Sequence, residues 1–157
     1  MDELRETVVT PDDPVTLREI TGETVHQIVQ LKVTADQDRF VAPNAVSIAE
    51  AYFEPKAWFR AIYAGETPVG FVMLYEDPEE PVYYLWRFMI DARYQGMGYG
   101  RQAIQQVIDH VRTRPNATEM FLSYAPSEGS PEKFYNHLGF VNTGKMHEDE
   151  MEMRLEL

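Results

Sequence analysis

Nine residues, Arg93-Tyr94-Gln95-Gly96-Met97-Gly98-Tyr99-Gly100-Arg101, constrain this chain more than any other stretch. Three glycines at alternate positions stand between an aromatic run with strand character (residues 82–90) and a segment with helical spacing (about 98–112). In that second segment Ala103, Ile104, Val107, Ile108 and Val111 make one apolar face. A chain that passes from strand to helix through such a loop presents consecutive backbone N–H groups, and the helix start adds partial positive charge. The combination suits a phosphate or pyrophosphate. Arg101, in the first helical turn, opposes the helix dipole unless an anion lies nearby. The plain alternative is a tight turn that holds nothing, because a lone glycine pattern is weak. A P-loop reading fails, since it needs Gly-Lys followed by Ser or Thr and Gly100 is followed by Arg101 and Gln102. A dinucleotide-binding reading through Gly98, Gly100 and Ala103 fits poorly, since it wants an acid at the end of the next strand and Glu119 stands at the start.

The elements around the loop define the fold class. Residues 15–20 alternate apolar and polar as a strand does, and Val25, Ile28, Val29 and Leu31 have helical spacing over 24–31, with Thr21 or Thr24 as N-cap. A second helix is expected from about 46 to 55. Strands at 58–64 and 68–75 flank the turn Gly65-Glu66-Thr67 and read as a hairpin, and a second turn at 77–81 leads to the strand at 82–90. After the long helix, Pro115-Asn116 breaks the chain, and 118–125 is a strand. Ser130 as N-cap and Pro131 as first helical residue open a short helix to His137, which Gly139 stops. Short strands near Phe140-Val141 and over 150–155 end the chain. Three hairpin-linked strands followed by a β-α-β unit predict an α/β fold: a mixed, mostly antiparallel sheet of six to seven strands with helices on both faces. Residues 1–14, polar and holding Pro11 and Pro14, are expected to form a flexible arm, and 15–157 a single domain.

Composition narrows the partners. The chain has 157 residues and no cysteine, which excludes a thiol nucleophile, a disulfide scaffold and cysteine zinc sites. No apolar run approaches the ~18 residues of a membrane span, and the acidic N-terminus lacks the order of a secretory signal, so a cytoplasmic location is expected. The net charge of −12 opposes nucleic acid and is compatible with a cationic substrate, although charge alone favours the simpler reading of solubility or salt adaptation. His26, His110, His137 and His147 lack metal-ligand spacing, and the acidic group Glu148-Asp149-Glu150 with Glu152 lacks the calcium-loop pattern, so no metal is expected.

Gln95-x-x-Gly98-x-Gly100, after a strand and opening a helix, resembles the acetyl-CoA pyrophosphate loop of the GNAT superfamily of N-acetyltransferases. Phe134-Tyr135-Asn136-His137-Leu138-Gly139-Phe140 resembles that superfamily's second signature, a tyrosine-bearing helix followed by Leu-Gly-Phe, about 40 residues on and in the expected order. The resemblance spans roughly residues 15–155. Phe40-Val41-Ala42-Pro43-Asn44-Ala45-Val46-Ser47 with Glu50-Ala51-Tyr52, and Trp86-Arg87-Phe88-Met89-Ile90-Asp91, are similar to bacterial spermine/spermidine (diamine) acetyltransferases. The chain departs from the family at Glu128, where many members place an asparagine against the coenzyme; Ser127, Ser130 or backbone groups would then substitute.

The resemblance implies acetyl-CoA as cosubstrate and transfer of acetyl to a primary amine of a polyamine, by direct attack in a ternary complex. It implies coenzyme contacts from Phe88, Met89, Ile90, Gln95, Gly96, Met97, Gly98, Tyr99, Gly100, Arg101, Ser130 and Tyr135. Tyr135 becomes the candidate general acid, its ordinary pKa of ~10 letting it donate at neutral pH. A primary ammonium, with pKa ~10.4, must lose a proton before attack. Carboxylates that would bind the acceptor or relay its proton are Glu54, Glu76, Asp77 and Glu150, and Trp58, Tyr83, Tyr84 and Trp86 offer cation–π contacts, of which strand alternation lets half face the cleft. A homodimer is possible by analogy with the family. Rival readings are the same transfer to an aminoglycoside, an amino acid or a protein N-terminus, and a non-catalytic acyl-CoA-binding sensor.

Overall fold

Residues 69–74 form an unbroken run of side chains, glycine apart, that suits the middle of a sheet covered on both faces. The computed structural model, which describes residues 8–38 and 41–157, places them there. Seven strands, β1 (Val15–Arg18), β2 (Ala57–Ala64), β3 (Thr67–Asp77), β4 (Val82–Ile90), β5 (Glu119–Tyr124), β6 (Val141–His147) and β7 (Glu150–Glu156), make one sheet in the order β1-β2-β3-β4-β5-β7-β6. All neighbours are antiparallel except β4 and β5. Helix α3 (Tyr99–Arg112) covers one face, where Ile104, Val107 and Ile108 meet Val72, Leu74 and Leu85. Helices α1 (Val25–Val29) and α2 (Asn44–Phe53) cover the other, where Ile28 and Ile48 meet Phe71 and Met73. The short α4 (Glu132–His137) follows β5. Each fully buried large side chain of this kind contributes about 1.5–3 kcal/mol, so β3, apolar on both faces, anchors the domain. Among the described residues no helix is long and apolar enough to cross a membrane.

Two features of the sheet create the site. The parallel pairing of β4 with β5 is confined to Tyr84↔Phe121 and Leu85↔Leu122, after which the strands part. The register of β3 on β4 shifts between Met73↔Arg87 and Leu74↔Leu85, leaving Trp86 bulged. A bulge bends a strand and increases its twist, which carries the second half of β4 away from β5.

The structure differs from the expected elements at three places. Strand β6 runs for seven residues, where only Phe140-Val141 read as a strand. Its side chains are nearly all exposed, Val141 and Met146 each at 57%, so no apolar alternation marks it. Helix α2 begins at Asn44, two residues before the expected start. The cap of α4 is Pro131 and its first residue Glu132, not Ser130 and Pro131; the Ser130 amide instead closes a turn on the Ser127 carbonyl at 3.1 Å. Of the expected arm, residues 1–7 lie outside the described residues, as does Phe40. Within residues 8–14, Val9 packs against the core, the Thr10 carbonyl accepts from Tyr99 Oη, and the Pro14 carbonyl accepts from the Gly65 amide.

Gly70, where β2, β3 and β4 are in register, yields a stability prediction. A Cβ there would lie 2.4 Å from the Met89 carbonyl oxygen and 2.9 Å from Ile90 Cδ1. Backbone must move to admit a methyl group, so Gly70→Ala should destabilise by about 3 kcal/mol, lowering the melting temperature by roughly 10 °C. Thermal unfolding followed by circular dichroism checks it; an unchanged midpoint would contradict the close approach.

Candidate active site

A cavity of about 910 Å³ opens where β4 leaves β5. Its walls come from the second half of β4, the glycine loop and start of α3, the end of β5, α4 and the first residue of β7.

The loop begins at Asp91, which is buried at 3% exposure and accepts from the Arg93 amide (2.9 Å), the Arg93 Nε (2.9 Å) and the Lys32 amide (3.0 Å). Burial pushes the Asp91 carboxyl up, but these donors outweigh it and hold the group below the usual carboxylate range. Gln95 donates to the Ile90 carbonyl (2.9 Å) and to Gln37 Oε1 (2.7 Å), so its amide braces the end of β4 against the segment between α1 and α2. Gly96 and Gly98 have φ of +80° and +82°, which L side chains rarely adopt, and a Cβ on either would meet nothing within 4 Å. Their backbone is therefore both turned and uncovered. Gly98 is the N-cap of α3 and supplies no side-chain cap, nor is there an acidic residue in the first turn. The first amides of this 14-residue helix thus have no intrahelical acceptor and lie beside Arg101 at the cavity wall. Gly100 serves a different purpose: its Cβ would sit 3.3 Å from Phe88 Cζ and 3.5 Å from Phe134 Cζ, so its small size lets α3 close on that aromatic pair. Phe88 and Phe134 stack with ring centroids 6.0 Å apart and tie α4 to β4.

Turned, uncovered amides at a helix start, an arginine in the first turn and a strand that has lost its neighbour fit a phosphate-bearing ligand with an extended arm, which is the shape of acetyl-CoA. Of the coenzyme contacts implied by the sequence, Phe88, Met89, Ile90, Gln95, Gly96, Gly98, Tyr99, Gly100, Arg101, Ser130 and Tyr135 line the cavity. Met97 does not; it packs against the core. Tyr99 directs its side chain into the core and donates from Oη to the Thr10 carbonyl, leaving its backbone as the part that faces the loop. The Ser127 hydroxyl donates to the Glu128 carbonyl (3.3 Å).

Tyr135 stands on α4 at 7% exposure, edge-on to Phe134 (5.2 Å) and Phe140 (5.8 Å), and its residue lines the cavity. Burial pushes its phenol well above the ordinary tyrosine range, so the hydroxyl keeps its proton across neutral and alkaline pH.

The cavity lining also includes Tyr84, Trp86, Arg87, Ser123 and Glu150. Tyr84 Oη donates to Ser123 Oγ. Arg87 donates from Nη1 to the Trp86 carbonyl (3.1 Å) and holds Glu50 at 3.5 Å. The remaining sequence candidates lie elsewhere. Glu76 is buried on the α3 face between His110 Nε2 (3.0 Å) and Arg114 Nε (2.9 Å). Asp77 holds Lys56 Nζ at 2.9 Å, and Glu54 accepts from the Lys56 amide at 3.0 Å. Trp58 stacks on His110 with centroids 4.1 Å apart, and Tyr83 donates to the Pro115 carbonyl, so both belong to the α3 side. Tyr84 and Trp86 are thus the two of the four aromatics that reach the cavity. Sequence reasoning missed Gln37 and Val33, which reach the site only through the fold: the Gln37–Gln95 bond spans 58 residues of chain. Among the described residues no three His, Asp or Glu side chains group as metal ligands would.

Comparison with known proteins agrees with this geometry. Residues 25–140 match the acetyltransferase (GNAT) family. A spermine/spermidine N(1)-acetyltransferase of Bacillus subtilis is 26% identical over 142 residues, covering 84% of this chain and 91% of that protein. The fold is shared with spermidine N-acetyltransferase from Vibrio cholerae, solved with CoA and spermine (TM-score 0.74, 17% identity, 90% of this chain and 95% of that one). It is also shared with the PaiA N-acetyltransferase of Thermoplasma acidophilum, solved with coenzyme A (TM-score 0.68, 13% identity, 92% and 99%).

Proposed function

The chain belongs to the acetyltransferase (GNAT) family, and on that premise we propose that it acetylates a primary amine of a polyamine. It is an N-acetyltransferase, and its acetyl donor is acetyl-CoA. The polyamine reading is supported by the names of the Bacillus and Vibrio relatives and carried by one observation. One cavity is lined both by the amide-rich, arginine-flanked stretch of Gly96, Gly98 and Arg101 and by two aromatic side chains and a carboxylate, Tyr84, Trp86 and Glu150.

Bound acetyl-CoA supplies an acetyl thioester, whose carbonyl carbon an amine can attack. The residues of the chain then have separate tasks. The amides of the glycine loop and α3 hold phosphate, with Arg101 adding charge. The backbone of β4 over 88–90, parted from β5, holds the arm and fixes the reacting groups, and such positioning accounts for much of the rate. Tyr135 Oη keeps a proton for the departing sulfur. Tyr84 offers an aromatic ring to a cation, whereas the Trp86 ring already carries the Arg87 guanidinium, 5.7 Å from its centroid. The absence of cysteine supports direct attack by the amine, once its ammonium proton has passed to water, over a cysteine-borne acyl intermediate.

Release of free thiol from acetyl-CoA, measured against spermidine, spermine, putrescine, an aminoglycoside and a short peptide, tests the assignment. Spermidine or spermine should exceed the aminoglycoside and the peptide at least about tenfold in kcat/KM, a difference of about 1.4 kcal/mol. Release with another amine alone would keep the transfer chemistry and discard the polyamine. No release despite acetyl-CoA binding would favour a sensor.

A further inference from the structure

Charge is unevenly spread around the cavity. The chain holds 26 acidic residues, yet among the described ones Glu150 alone lines it. The neighbouring carboxylates are engaged. Glu50 pairs with Arg87 at 3.5 Å and offsets that cavity-lining guanidinium. Glu152, the next residue of β7 on the same face, accepts from Thr143 Oγ1 (3.0 Å) and pairs with His147 Nε2 (2.6 Å). The Glu150 side chain is exposed at the cavity and makes no hydrogen bond or ion pair within the described residues.

Its position is nonetheless fixed. Glu150 is the first residue of β7 and pairs with His147 across the hairpin, one step beyond the Met151↔Tyr124 pair of β7 with β5. Its side chain lies on the sheet face opposite α3, the face of Tyr84 and Ser123. The phenol of Tyr84 registers that closeness: burial pushes it up, the bond to Ser123 draws it back, and the charges of Glu150 and Glu152 push it up further.

We propose that Glu150 is a specificity-determining residue that binds a second positive charge on the acceptor, so that the enzyme selects diamines and polyamines over monoamines. The inference rests on the polyamine reading above and sharpens it. An acceptor with one ammonium has only the reacting nitrogen to offer, and that proton is lost before attack. An acceptor with a second ammonium a few methylenes away retains a cation after the first nitrogen is neutralised. An unengaged carboxylate near the Tyr84 ring gives that cation a partner, with little reorganisation of the protein.

The test compares putrescine with butylamine, which share a four-carbon skeleton and differ by one charge, in wild-type enzyme and Glu150→Gln. The ratio of their kcat/KM values should fall by about ten- to hundred-fold in the variant, the size of one charge-assisted contact. The change should enter through the KM of the diamine. Because Glu150 holds no structural bond, the melting temperature and the affinity for acetyl-CoA should stay as in the wild type. A ratio that survives the substitution overturns this inference alone. So does an equal loss for both amines in kcat, which would place Glu150 at the reacting nitrogen. A wild-type enzyme that acetylates neither putrescine nor spermidine overturns the polyamine reading together with this inference.

Discussion

Replacing Gly98 by Glu should abolish acetyl-CoA binding while the domain stays folded. A Cβ at Gly98 meets nothing within 4 Å, so the longer side chain has room without displacing the core. The backbone at φ +82° costs an L residue about 1–2 kcal/mol, and a carboxylate at the start of α3 returns about 0.3–1 kcal/mol through the helix dipole. The net effect on stability is therefore small. The effect on binding is not, because the new carboxylate takes the amides that the phosphates need and repels them. Affinity by isothermal titration calorimetry should drop more than about 100-fold, or 2.8 kcal/mol. Gly98→Ala separates the causes: it carries the backbone strain without the charge and should lose about tenfold or less. Equal losses in the two variants would mean that strain, not occupation of the amides, governs the loop. Unchanged affinity in Gly98→Glu would move the phosphate site elsewhere.

The sequence carried the fold further than it carried the site, for reasons visible in single residues. Strand β4 was legible because it is a run of aromatic and aliphatic residues bounded by a turn and a glycine loop, and α3 because its apolar face repeats at helical spacing. Strand β6 was not, since its partner is β7 alone and nearly all its side chains meet solvent. The insertion of β7 between β5 and β6 leaves no local trace either, because pairing between distant strands is settled by burial after the chain has collapsed. At the site, Tyr83 and Glu76 illustrate what local reading cannot settle. They are paired in register, and both point to the α3 side, where Glu76 meets His110 and Arg114. Counting alternate residues from Tyr83 would have assigned Tyr84 to the opposite face. It would not have found the bulge at Trp86, which depends on a register shift in β3. Gln95 shows a different case: the motif singled it out as a coenzyme contact, and in the structure its amide braces the strand end, a bond invisible without Gln37.

Tyr135→Phe should lower kcat by about 100-fold, the usual contribution of one positioned proton donor, and leave the KM for acetyl-CoA within about threefold. Only the hydroxyl is removed; the ring keeps its edge contacts with Phe134 and Phe140, so the melting temperature should hold. A thiol titrates at ~8.5 in water and a tyrosine at ~10, and burial has raised the Tyr135 phenol further. That mismatch looks unfavourable for proton donation. The sulfur leaves inside the same cavity beside Tyr135, however, where desolvation penalises the thiolate in the same sense and raises its basicity alongside. The sign of the shift also fixes the pH behaviour. A raised pKa keeps Tyr135 protonated throughout the working range, so any loss of kcat between pH 7 and 9 should appear equally in wild type and Tyr135→Phe. The decisive comparison uses the seleno analogue of acetyl-CoA, whose selenol leaves as an anion and needs no donor. With it, the deficit of the phenylalanine variant should shrink to a fewfold. A deficit of the same size with sulfur and selenium would show that Tyr135 positions the arm and does not protonate the leaving group.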